Sequence, residues 1–103
     1  QSNISEIFLN PDNASVEFFY YRRHGKLIRK LVIHYKGEKY FAYDKIINQF
    51  FRYLPIGYRD AIAIKDWRER NEIINRKLKQ VTSTLVLSVT PENKIIRVAS
   101  SEF

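Results

Sequence analysis

Two glycines decide how this chain can fold between Ser15 and Asp44. His24-Gly25, flanked by Arg23 and Lys26, has the composition of a two-residue type I′ hairpin turn. Gly37-Glu38, flanked by Lys36 and Lys39, has that of a type II′ turn. Reversal at both points predicts three antiparallel strands. Phe19 then stands opposite Lys30, Tyr21 opposite Ile28 and Arg23 opposite Lys26. The second hairpin places Lys36 opposite Lys39, His34 opposite Phe41 and Val32 opposite Tyr43. Directly opposed residues share a face. One side of the sheet therefore gathers Phe19, Tyr21, Phe41, Tyr43 and His34 among Arg23, Lys26, Lys30, Lys36 and Lys39.

The alternate residues Val16, Phe18, Leu27, Leu31, Ile33, Tyr35 and Ala42 are predicted to face the core. A slip of one residue would bury lysines and expose leucines, so the register is strongly specified. Arg22 and Arg29 interrupt the apolar face near the first turn and are placed beyond the packed layer.

Charge sharpens the reading. The 103 residues carry 18 Lys+Arg against 11 Asp+Glu, a net charge of +7. Residues 15–45 hold eight cations and three acids, and residues 65–80 hold six and three. Excess charge concentrated in this way favours a polyanionic partner. Rings that stack on bases beside cations that neutralise phosphates suit single-stranded nucleic acid. A solvated antiparallel sheet also carries lysines and tyrosines, so the combination of rings and charge marks the face, and neither does alone.

Hydrophobic residues at 45% argue against disorder. With no cysteine, disulfides and thiolate metal sites are excluded. No apolar run approaches the ~20 residues of a membrane span, and no signal peptide is evident. A cytoplasmic setting without membrane contact is expected. Gln1-Ser2-Asn3 reads as the remnant of a cleavable purification tag, leaving residues 4–103 as one domain.

Along the chain, Ile4 to Leu9 predicts an edge strand stopped by Asn10-Pro11-Asp12-Asn13. Asp44 is placed as the cap of a helix running to about Leu54, with Ile46, Ile47, Phe50, Phe51 and Leu54 forming its apolar stripe. Asp60 to Ile64 fits either a short strand or a helical turn. Asp66 and Glu69 have the spacing of a capping box for a helix reaching about Gln80. Trp67, in its first turn, is expected to anchor the core; the competing reading is a stacking platform. Thr84–Thr90 and Lys94–Ala99 form a last hairpin around Pro91-Glu92-Asn93. The order β-β-β-β-α then α-β-β defines an α+β domain built on a curved antiparallel sheet.

The strand triplet and helix ending in Phe51-Arg52-Tyr53-Leu54-Pro55-Ile56-Gly57-Tyr58 resemble the repeat unit of Whirly domains. There, a curved sheet precedes a helix closed by a Leu-Pro segment, a glycine and an aromatic residue. Arg23-His24-Gly25-Lys26-Leu27 is similar to the Lys-Gly-Lys loop of that family, although the full Lys-Gly-Lys-Ala-Ala-Leu signature is absent. The resemblance covers residues 15–58. It implies binding of single-stranded RNA or DNA by the sheet and homo-oligomerisation through the helices. The Ile-, Asn-, Lys- and Tyr-rich composition adds the expectation of a Whirly-like RNA-binding protein of a nucleus-forming bacteriophage, placed in the bacterial host cytoplasm.

Catalysis, metal and cofactor chemistry are not expected. A small basic ribonuclease would need a general base, a general acid and phosphate-holding cations. Its candidates would be Glu17, His24 and His34 beside Arg23 and Lys30. Two histidines ten residues apart match no metal-ligand spacing, and the three glycines form no phosphate loop. The remaining alternative is a protein adaptor that uses the same face, with the rings as interface anchors.

Overall fold

In the computed structural model, which describes residues 3–102, the first turn forms where the glycine predicts. His24 and Gly25 have φ of 52° and 74°, both positive as a type I′ turn requires. They join β2 (Ser15–Arg23) to β3 (Lys26–Tyr35) in the expected register, with Phe19 opposite Lys30 and Arg23 opposite Lys26. Gln1 and Ser2, assigned to the tag remnant, lie outside the described residues, as does Phe103.

The second turn differs from expectation. Lys36 and Gly37, with φ of 50° and 78°, are its two central residues, so glycine fills the second position of a type I′ turn and not the first of a type II′ turn. The strand β4 (Glu38–Tyr43) consequently slides by two residues. Val32 pairs with Phe41, Lys30 with Tyr43 and His34 with Lys39. A shift of two preserves which face each side chain occupies. The strand residues keep their faces, and Lys36 leaves the ladder for the turn.

The larger correction concerns strand order. The six strands do not form one sheet in sequence order: β2-β3-β4 is one antiparallel sheet of three, and a second has the order β1-β5-β6. Its members are β1 (Ser5–Leu9), β5 (Leu85–Val89) and β6 (Ile95–Ser100). A 3-10 turn at Pro11–Asn13, capped by the Asn10 side chain on the Asp12 amide, turns the chain away between β1 and β2. β1 then pairs with β5 from the far end of the chain. The sheets meet at the outer edge of β4, where the Phe41 amide donates to the Asn93 carbonyl at 2.9 Å.

Helices α1 (Lys45–Phe51), α2 (Tyr58–Ile62) and α3 (Trp67–Leu78) follow β4, which settles the Asp60–Ile64 segment as mainly helical. Asp44 precedes α1 but makes no side-chain cap. Asp66 does cap α3: its Oδ1 accepts from the amides of Arg68 and Glu69. Phe18, Leu31, Ile33, Ile47, Phe50, Ile74, Leu78, Leu85 and Leu87 are fully buried in one core. Phe18 meets Phe51 and Tyr58 edge to face, an arrangement that adds to their burial.

Two exceptions bear on function. Leu27, expected in the core, is exposed beside the first turn, and Trp67, expected to anchor α3, is 55% exposed. The buried stripe of α3 starts one turn later, at Arg70, Ile74 and Leu78. Arg70 donates from Nε to the Ile64 carbonyl at 2.9 Å and lies over the Tyr20 ring, so a guanidinium fills the place predicted for the indole.

Side-chain amides close two strand edges. Asn71 and Asn75, one turn apart on α3, accept from the Phe18 and Val16 amides of β2 at 2.9 and 2.8 Å. Gln49 of α1 does the same for the Val98 amide of β6 at 3.1 Å.

Candidate nucleic-acid interface

The core side of β2-β3-β4 is covered by helices and the second sheet, which leaves the opposite face to solvent. Cross-strand rows order that face. Arg23 pairs with Lys26 and Tyr21 with Ile28. Phe19, Lys30 and Tyr43 form the next row, then Glu17, Val32 and Phe41, and finally Ser15, His34 and Lys39.

The third row has the most pointed chemistry. Lys30 occupies the central strand with an exposed ring on either side, Phe19 at 36% and Tyr43 at 37%. Adjacent strands lie ~4.8 Å apart, so the backbone positions of the two rings flank that of Lys30 at about one strand spacing each. Tyr21, two residues along from Phe19, is exposed and has the Arg23 guanidinium 5.7 Å from its ring centre. Val32, though on this outward face, is almost covered. It forms a closed apolar floor between Glu17 and Phe41.

Phe41 is half-buried, and the Lys30 ammonium lies 5.1 Å from its ring centre. Its outward surface is therefore engaged by a cation, whereas the rings of Phe19 and Tyr43 make no such contact among the described residues. Lys36 departs from the predicted arrangement. As a turn residue it directs its ammonium to 5.4 Å from the centre of the Tyr35 ring, which belongs to the core side. Lys26 and Lys39 are exposed on the outer face.

Glu17 is the acid on this surface, and His34 holds it: the imidazole Nε2 and Glu17 Oε1 are 2.8 Å apart. His24 sits at the exposed turn tip, at the far end of the β2–β3 hairpin from His34. Of the ribonuclease candidates, Glu17 and His34 come together and His24 does not. Among the described residues, no group of three or more His, Cys, Asp or Glu is arranged to hold a metal ion. No described helix is long and apolar enough to cross a membrane.

Trp67, like Leu27, stands exposed where its pattern predicts burial. Together with Phe19, Tyr21 and Arg70 it lines a cleft of about 290 Å³ beside the β2 edge. Its helical spacing with Ile74 and Leu78 pointed inward, and only its place in the first turn, ahead of the buried stripe, hinted otherwise. Comparison with family models, with curated proteins and with solved structures returns no match.

Proposed function

We propose that the outer face of β2-β3-β4 binds single-stranded nucleic acid with little sequence preference and without catalysis. The observation that carries this reading is the row Phe19–Lys30–Tyr43, two exposed rings flanking a cation on a sheet bordered by Arg23, Lys26 and Lys39. Bases stack on Phe19, Tyr43 and Tyr21. Phosphates are neutralised by the four cations. Stacking tolerates any base because every base has a π-face, which gives affinity without a base-edge code. RNA is preferred over DNA in this proposal on the strength of the Whirly resemblance of residues 15–58, which also supports self-association through the helices.

Fluorescence polarisation with labelled single-stranded RNA, single-stranded DNA and duplex, at two salt concentrations, tests the proposal. Four engaged cations give a slope of about −3 in log affinity against log salt for a single strand. Affinity then falls about fifty-fold between ~50 and ~200 mM salt. Binding by both single strands above duplex is the expected result. A salt-insensitive interaction would instead favour a protein partner on the same rings.

The 2.8 Å contact between His34 and Glu17 favours a second reading, a ribonuclease. Glu17 would accept the 2′-hydroxyl proton, His34 would protonate the departing 5′-oxygen, and Lys30 and Lys39 would hold the phosphate between them. The pair would have to part to admit that phosphate. Cleavage of RNA, with the 2′-deoxy strand left intact and activity abolished by His34→Ala, would establish it; intact RNA removes it.

A further inference from the structure

We infer that the cleft at Trp67 is a second nucleobase site, which takes an unpaired base after the strand has crossed the edge of β2; the inference rests on the reading just given. Three observations place it there. First, an indole that helical periodicity would bury stands 55% exposed, facing a cleft it shares with Phe19 and Tyr21, two rings of the proposed stacking face. A volume of about 290 Å³ is an order of magnitude above the ~30 Å³ share of one water, ample for a planar base.

Second, a larger groove runs along the seam between α3 and β2, and Trp67 is the wall it shares with the cleft. That groove carries Arg68, Arg76 and Lys79, interrupted by Glu72 and, on the β2 side, by Glu17. Arg68 and Arg76 are two turns apart, about 12 Å along the helix. Lys79 already donates to the Ala14 carbonyl at the far end. These side chains belong to the second basic cluster, residues 65–80, which the sheet face leaves unused.

Third, Arg68 lies 5.5 Å from the Trp67 ring centre, so a cation borders the indole as Lys30 borders Phe41. The repeated pairing of ring and cation suits a nucleotide, whose base and phosphate are bound together. The path runs from Tyr43 across Lys30 to Phe19 and Tyr21, then over the β2 edge to Trp67 and the α3 groove. A duplex cannot follow it, because its bases are paired and cannot enter the cleft.

Trp67 is the single tryptophan, so its emission reports on this site alone. The test uses two 5′-labelled oligouridylates, of about 5 and about 15 nucleotides, which span the usual site sizes of single-strand binders. Each is followed by polarisation, and unlabelled copies are followed by Trp67 emission. The longer oligomer should quench the indole, and Trp67→Ala should weaken its binding by about 5- to 150-fold, the range that one stacked base supplies. The shorter, held on the sheet face, should lose less than about two-fold. Trp67→Phe should recover part of the loss, which separates stacking from misfolding. Tight binding of the longer oligomer with unchanged emission and wild-type affinity in Trp67→Ala would overturn the inference and leave the sheet-face reading intact. Failure of both oligomers to bind at all would overturn the sheet-face reading itself.

Discussion

The Lys30 ammonium rests 5.1 Å from the centre of the Phe41 ring, on the solvent side of the sheet. This contact divides the aromatic residues of the face into two kinds. Phe41 is covered and half-buried, and serves to hold Lys30 in place. Phe19 and Tyr43 present open ring surfaces to the medium.

The division predicts different outcomes for three alanine substitutions. Phe19→Ala and Tyr43→Ala should each weaken single-strand binding by ~1–3 kcal/mol, with denaturation midpoints nearly unchanged. Phe41→Ala should lower both affinity and stability. Loss of stability with full binding would assign Phe41 to the fold alone. Polarisation and urea titration on the same preparations read the two quantities.

Charge reversal at Lys26 and Lys30 should act on all sequences alike. Removing two of four phosphate contacts halves the salt slope, from about −3 to about −1.4. Affinity measured at three or more salt concentrations checks this. An unchanged slope in Lys26→Glu/Lys30→Glu would place the ligand elsewhere on the molecule.

Glu17 is predicted to oppose binding, since its carboxylate lies on the surface proposed to meet phosphates. Glu17→Gln keeps the size of the side chain and removes the charge. At an exposed position this is worth ~0.2–1 kcal/mol, so affinity should rise by up to about five-fold. The ribonuclease reading expects the same substitution to abolish RNA cleavage, which makes one variant informative for both.

Tyr40 supplies the pH dependence. Its burial, reinforced by the nearby charge of Glu38 and by Tyr35, raises its phenol above the ordinary value of 10.0. The folded state thus keeps the proton at a pH where the unfolded chain gives it up. This contribution to stability is complete below pH 10 and is lost as pH climbs from there through the raised folded value. Tyr40→Phe should match the parent in urea titrations at pH 7 and fall less steeply in the alkaline range.

Asn75 bonds Val16 through both halves of its amide: Oδ1 accepts from the Val16 N–H and Nδ2 donates to the Val16 carbonyl at 2.9 Å. Asn75→Ala leaves both groups of that residue without these partners and should cost ~1–3 kcal/mol. Faster hydrogen exchange at the Val16 amide is the local readout. Asn75→Asp keeps the acceptor and loses the donor, so it should fall between the parent and Asn75→Ala.

The hairpins were legible because their signals are local: glycine in a two-residue turn and strict alternation on either side of it. At Gly37 the turn type differs from the expected one, and the even displacement left the paired residues of β3 and β4 on their predicted faces while taking Lys36 out of the ladder. The pairing of β1 with β5 was not legible, since it joins opposite ends of the chain and leaves no short-range mark. Trp67 misled for a related reason. Periodicity says which side of a helix is apolar, but not where the layer beneath that helix stops.

The amides of Asn71 and Asn75 have a consequence for how such a surface remains usable. A twisted sheet rich in exposed rings invites neighbouring copies to extend it strand by strand, towards insoluble fibres. With both backbone groups of Val16 and the amide of Phe18 already engaged by two asparagines, a newcomer finds fewer open ladder positions there. The ring-bearing face can stay open to solvent while that margin is partly closed, and stickiness there need not become growth.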